Sequence, residues 1–202
     1  EIRRREVEVL QRVVRVMSHE VNNSLAPISS LMHSARLMAQ NVGQAERFLG
    51  LAGAREGRGR DADALAFLRG PTEFCNCLLV EQPDLDFAHT IVRQVLFDSA
   101  ALPELERLAS SSDAELAELC ARAAKETRYH ARHAREWFVR LGDGSDESHG
   151  RAQAALDHLF PYTREFWTHS PAEAAAVAAG IGVDVQTLKA DWDAIVDAAL
   201  AE

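Results

Sequence analysis

Between Phe74 and Asp98 the chain reads FCNCLLVEQPDLDFAHTIVRQVLFD, an apolar run, a proline-centred break and a second apolar run at helical spacing. Leu78, Leu79 and Val80 close the first run, and Glu81-Gln82-Pro83 stops it. Proline removes a backbone donor and pushes the residue before it out of the α region, so Pro83 marks a helix boundary or a sharp kink. Asp84 or Asp86 can cap the next turn by accepting backbone N–H bonds. Beyond it Phe87, Ile91 and Val95, and one position off Ala88, Val92 and Phe97, recur with the helical period. Glu81, Gln82, Arg93, Gln94 and Asp98 fall beside this stripe, where polar groups cost free energy unless paired. The expectation is a polar cluster that joins helices or builds a subunit interface.

The remaining sequence fits an all-α protein. Alanine, leucine, arginine and glutamate dominate, and the alternation of β-branched residues that marks strands is nearly absent. With 202 residues the chain can bury a real core and is most economically one domain, with or without an appendage. A net charge of −9 and a pI near 5.4 argue against nucleic acid or an anionic membrane as partner. No apolar run reaches the roughly 18 residues of a membrane span and no signal-peptide pattern opens the chain, so a cytoplasmic protein is expected. Cys75, Cys77 and Cys120 form an odd set without ligand spacing. They read as small core or interface residues, neither a metal knuckle nor a disulfide.

Further helices follow in order. Gly50 or Gly53 can end a helix in a left-handed cap, and Asp61 can start the next. The intervening GLAGAREGRGR could cradle an anion, but no strand precedes it and its spacing fits no phosphate motif. Asp113 is the expected N-cap of a helix striped by Leu116, Leu119 and Cys120. Glu118 to Leu141 reads as the longest helix, with Ala123, Tyr129, Ala134, Trp137 and Phe138 at its bulky or close-packing positions. Ser145-Asp146 caps a helix that runs to about Leu159, where Pro161 breaks it. Pro171 opens another over 172–179, and 185–201 closes as a helix with Leu188, Trp192 and Ile195 on one face. The segment Arg128–Arg135, RYHARHAR, is a basic island in an acidic chain: a solvated face, or a contact for an acidic partner or a phosphate.

LLVEQPDLDFAHTIVRQ resembles the signature of the C-subunit family of multicomponent phenylacetyl-CoA epoxidases. Matches in the same order include Gly43-Gln44-Ala45, Asp63 to Arg69, Lys125-Glu126, Tyr129-His130, Val139 to Gly144, Pro161-Tyr162-Thr163 and Trp192. The resemblance covers about 41–202. It departs from the family at Ala100-Ala101, where a Trp-His pair is usual, and family members continue beyond position 202. The resemblance implies a ferritin-like helical bundle, truncated at its C-terminus and with an atypical first helix. It also implies a non-catalytic structural subunit in the cytoplasm, with no cofactor of its own, supporting a di-iron catalytic subunit. A ferritin-like di-iron site needs two Glu-x-x-His pairs and two more carboxylates. Asp86-x-x-His89 and Asp146-x-x-His149 imitate that spacing, but both fall at helix starts, where Asp is a cap and His a solvent-facing residue. Glu126, His130 and His133 share a helix face with the wrong step. The expectation is no metal site.

Residues 1–40 are different. SHEVNNSLAPISSL resembles the phosphoacceptor helix of sensor histidine kinases. That resemblance implies His19 as phosphoacceptor, Glu20 as its acid–base partner and Asn23 as the amide that positions water, with His19 and Asn23 on one helix face. No nucleotide-binding elements follow. The favoured reading is a helix packed as the first of the bundle; the alternative is a fragment of a two-component sensor kinase.

Overall fold

The computed structural model describes residues 50, 59–68, 77–83, 85–169 and 171–201. The regular elements among these residues are all helices, as an all-α composition requires. They are α1 (Ala62–Phe67), α2 (Leu78–Glu81), α3 (Phe87–Leu108), α4 (Ala114–Gly142), α5 (Asp146–Leu159), α6 (Pro171–Ala178) and α7 (Lys189–Leu200). Two 3₁₀ turns join them, Phe160–Trp167 and Val185–Leu188. None of these helices is long and apolar enough to cross a membrane.

Side-chain caps set several of the boundaries. Asp61, Asp86, Asp113 and Ser145 each accept a backbone N–H from the first turn of the helix they precede, satisfying donors that have no partner inside the helix. Ser145 and Ser148 do so reciprocally, in a capping box. Asp84 lies outside the described residues, and Asp86 caps α3. Pro103 does not end that helix. It removes one donor, yet α3 continues to Leu108, with Ala101 buried before it and Leu105 and Leu108 buried after it.

Helix α3 is the axis of the described fold. Its buried residues include Ala88, Ile91, Val92, Leu96, Phe97 and Leu105, which together go most of the way round the helix. Its most extensive neighbour is α4, followed by α5 and α7. Helix α4 is amphipathic instead. Leu116, Cys120, Ala123, Thr127 and Ala134 form one buried stripe, and their mostly small size lets the two backbones approach closely. Tyr129, expected at a close-packing position, is 59% exposed. It sits on the opposite side of the helix from Thr127, and the stripe of small residues takes the core.

The C-terminal third wraps this pair. Helix α5 contributes Ala152, Ala155 and Leu159 and passes directly into the first 3₁₀ turn, where Pro161 stands at the start. Gly180, at φ +72°, reverses the chain after α6. Its carbonyl receives the Ser112 hydroxyl while Ser111 donates to Ile181, so this turn is fastened to the α3–α4 corner. The segment expected as one helix over 185–201 is two pieces. Asp184 accepts from Gln186 N and Thr187 donates to the Asp184 carbonyl, which tightens the entry into a 3₁₀ turn. Leu188 and Trp192 are buried as expected, but Val196 takes the inward position and Ile195 is exposed.

Candidate functional site

The polar residues around Pro83 divide into two groups. Gln82 returns its side-chain amide to the Leu78 carbonyl at 2.9 Å. The Arg93 guanidinium donates to the carbonyls of Gln82 and Pro83 at 2.8 and 3.0 Å. These are oxygens that the proline break leaves without helical partners. At the other end of α2, the Leu78 N–H donates to Glu165 of the 3₁₀ turn. A helix of four residues is thus held at both ends by side chains from distant elements. Glu81 is exposed.

The second group is one turn further along α3. Gln94 donates to Asp98 Oδ2 at 2.8 Å, and Asp98 is completely buried. Burial pushes its carboxyl up to about 7, and the Gln94 bond lowers it only in part. Among the described residues Asp98 Oδ1 has no hydrogen-bond partner. On the neighbouring α4, Thr127 is equally buried, and its hydroxyl likewise finds no partner among them. Further along α3 towards the corner, Glu104 is raised to about 8, first by desolvation and then by Glu173. The buried Cys120 thiol is pushed up to about 12 by desolvation and by Glu104, which makes it a poor nucleophile.

The two Asp-x-x-His pairs behave differently from each other. One oxygen of Asp86 accepts both the backbone N–H of His89 and its ring Nδ1, each at 2.9 Å. The backbone bond and then the ring bond hold the Asp86 carboxyl below its ordinary range. His89, expected to face solvent, is only 7% exposed. The reason is register: His89 shares a face with Val92 and Leu96, and its ring packs edge-on against His158, which in turn meets Tyr162. That register is readable in the sequence as the i, i+3, i+7 relation of 89, 92 and 96. Asp146 lies in the first turn of α5, and His149 is exposed, its Nδ1 at 3.0 Å from the Gly142 carbonyl.

Glu126 and His130 are half-buried and His133 is exposed on α4. Among the described residues no three His, Cys, Asp or Glu side chains are grouped to hold a metal ion. The basic island is spread around the helix. Arg128 pairs with Glu106, Arg135 reaches the Ala198 carbonyl, and Arg132 and Arg140 lie over the rings of Tyr129 and Trp137 at 5.4 and 5.3 Å. His19, Glu20 and Asn23, Cys75, Gly53 and most of the glycine-rich stretch lie outside the described residues.

Long helices packed on a central α3, with carboxylates and histidines serving as caps and buried pairs, define an all-α bundle protein. Residues 29–202 match the family described as phenylacetic acid catabolic protein, whose members are ferritin-like, and the chain belongs to that family. Over 161 residues it is 43% identical to the C subunit of 1,2-phenylacetyl-CoA epoxidase from Escherichia coli (strain K12). That alignment takes in 80% of this chain, which spans 64% of the length of the relative. Membership links the chain to phenylacetate catabolism.

Proposed function

We propose that this chain is the structural, non-catalytic C subunit of a multicomponent phenylacetyl-CoA 1,2-epoxidase. It would bind the di-iron catalytic subunit and hold that partner's helices in place. The observation that carries the reading is the 43% identity to the C subunit of such an epoxidase, sustained over 80% of the chain. The local chemistry agrees with it. Asp86 is occupied as a helix cap and as the partner of a buried histidine. Asp146 lies in the first turn of α5, which Ser145 caps, and His149 meets the Gly142 carbonyl at the end of α4. In this reading the iron and the reaction with oxygen belong to the partner, and this chain supplies a large, rigid helical surface.

Co-expression with the catalytic subunit of the same organism, followed by size-exclusion chromatography, tests the proposal. Co-elution in a defined complex is expected, with iron following the partner and not the isolated chain. Separate elution would overturn it, and so would about two irons per isolated chain, the content of a di-iron protein.

A further inference from the structure

One face of α4 is left largely open by the described residues. Tyr129, Arg132, His133, Glu136, Trp137 and Arg140 are linked by spacings of three and four (129 to 132 and 133, 133 to 136 and 137, 136 to 140), which places them along a single side of the helix. Tyr129 is 59% exposed, and Arg132, His133, Glu136 and Arg140 are also exposed. Phe87, 52% exposed at the start of α3, sets its ring edge-on against Trp137 at 5.3 Å and widens the aromatic strip. Two residues earlier Leu85 is 63% exposed. On this strip Arg132, Arg140 and His133 stand against one acid, Glu136, in a chain of net charge −9. Arg132 and Arg140 stack on aromatic rings, and among the described residues neither has a carboxylate within ion-pair distance.

We infer that this aromatic and basic face of α4 docks an acidic surface of the catalytic partner, an inference that rests on the subunit reading above. Tryptophan, tyrosine and arginine are the residues that dominate binding energy at protein interfaces. Exposed cations held over aromatic rings keep their outward side available to carboxylates. A small phosphate ligand is a poorer fit, because the strip is an open side of a helix and not a helix N-terminus whose free N–H groups could cradle it. The acidic remainder of this chain would repel an acidic partner elsewhere, so the charge difference also sets the docking orientation.

The test measures binding of the full chain to immobilised catalytic subunit by biolayer interferometry. Arg132→Glu combined with Arg140→Glu is expected to weaken binding by about tenfold or more, and Trp137→Ala by about the same factor. Arg164→Glu, also an exposed charge reversal but on the 3₁₀ turn, should bind as the wild type does. Both α4 arginines are exposed, so the double variant keeps its melting temperature even if Trp137→Ala does not. Wild-type affinity in the double variant would overturn the inference while leaving the subunit reading intact. It would also fail if the double variant lost only self-association, or only affinity for free coenzyme A used as a probe. A wild-type chain that does not bind the catalytic subunit at all would remove the subunit reading, and this surface with it.

Discussion

Trp192 donates its indole N–H to the backbone carbonyl of Leu96 at 3.0 Å, tying α7 to the middle of α3 across 96 residues of sequence. The indole is 2% exposed and lies against Phe160 and Trp167. Trp192→Phe keeps most of the packing and loses one hydrogen bond, an expected cost of about 0.5–1.5 kcal/mol. Trp192→Ala also leaves a cavity and is expected to cost about 3–5 kcal/mol. Urea denaturation separates the two; equal losses would show that the ring does not carry the attachment.

Arg93 satisfies two carbonyls that the Pro83 break sets free. Arg93→Met should lower stability by about 1–3 kcal/mol, because the chain turn after α2 loses both bonds. Arg122→Met, which removes only an exposed pair with Glu118 on α4, should stay within about 0.5 kcal/mol of wild type. Thermal melts of the two variants make the comparison. Equal melting temperatures would reduce the cluster to a solvated helix boundary.

Asp98 makes stability depend on pH. Its folded carboxyl titrates at about 7 against a usual 3.8, so the folded state binds its proton more tightly. Stability from this group is full below the unfolded value, falls as pH rises through the window, and levels off above about 7. At roughly 1.4 kcal/mol per pH unit the loss is on the order of 4 kcal/mol. Asp98→Asn is expected to remove it, making the variant more stable than wild type at pH 8 but not at pH 4. Glu104 contributes a loss of the same sign up to about 8, so the difference between the two proteins isolates Asp98. Parallel stability–pH curves would contradict the assignment.

Asp86 has two duties that substitutions can separate. Asp86→Asn retains a capping oxygen for α3 and weakens mainly the contact with the His89 ring. Asp86→Ala removes the cap, worth about 1 kcal/mol, and also leaves a buried ring nitrogen unpaired at about 1–3 kcal/mol. The alanine variant should therefore melt clearly lower than the asparagine variant. If the two melt together, the cap contributes nothing measurable.

Two glycines should respond in opposite directions to alanine. Gly150 is inside α5, and a Cβ there meets nothing within 4 Å, so Gly150→Ala should gain about 0.5–1 kcal/mol. At Gly144 a Cβ would stand 2.9 Å from the Arg140 carbonyl and 2.7 Å from the Ser148 hydroxyl. Gly144→Ala is expected to destabilise by disturbing the α4–α5 turn and its capping box. A neutral result at Gly144 would mean the turn relaxes freely.

The sequence by itself determined the helical class and many boundaries, because caps and breaks act over one turn of chain. Asp86, Asp113 and Ser145 mark their elements through bonds to residues three positions away, and Pro83 marks its own by the donor it lacks. The family was legible for a related reason, since a resemblance carried by ordered short motifs needs no knowledge of packing. Which side chains turn inward was another matter. Read as a residue of a helix start, His89 is expected outside although its spacing to Val92 and Leu96 already points inward, and Tyr129 and Ile195 are expected inside although both are exposed. Adjacent helical positions differ by about 100° around the axis, and several arrangements of an apolar stripe are compatible with one pattern. Only the neighbours chose among them: Val92 and His158 bury His89, the small stripe of α4 turns Tyr129 outward, and the approach of α7 to α3 through Trp192 admits Val196 in place of Ile195. The charge state of Asp98 was decided at the same level, because it depends on how completely the packed helices exclude water from one carboxylate.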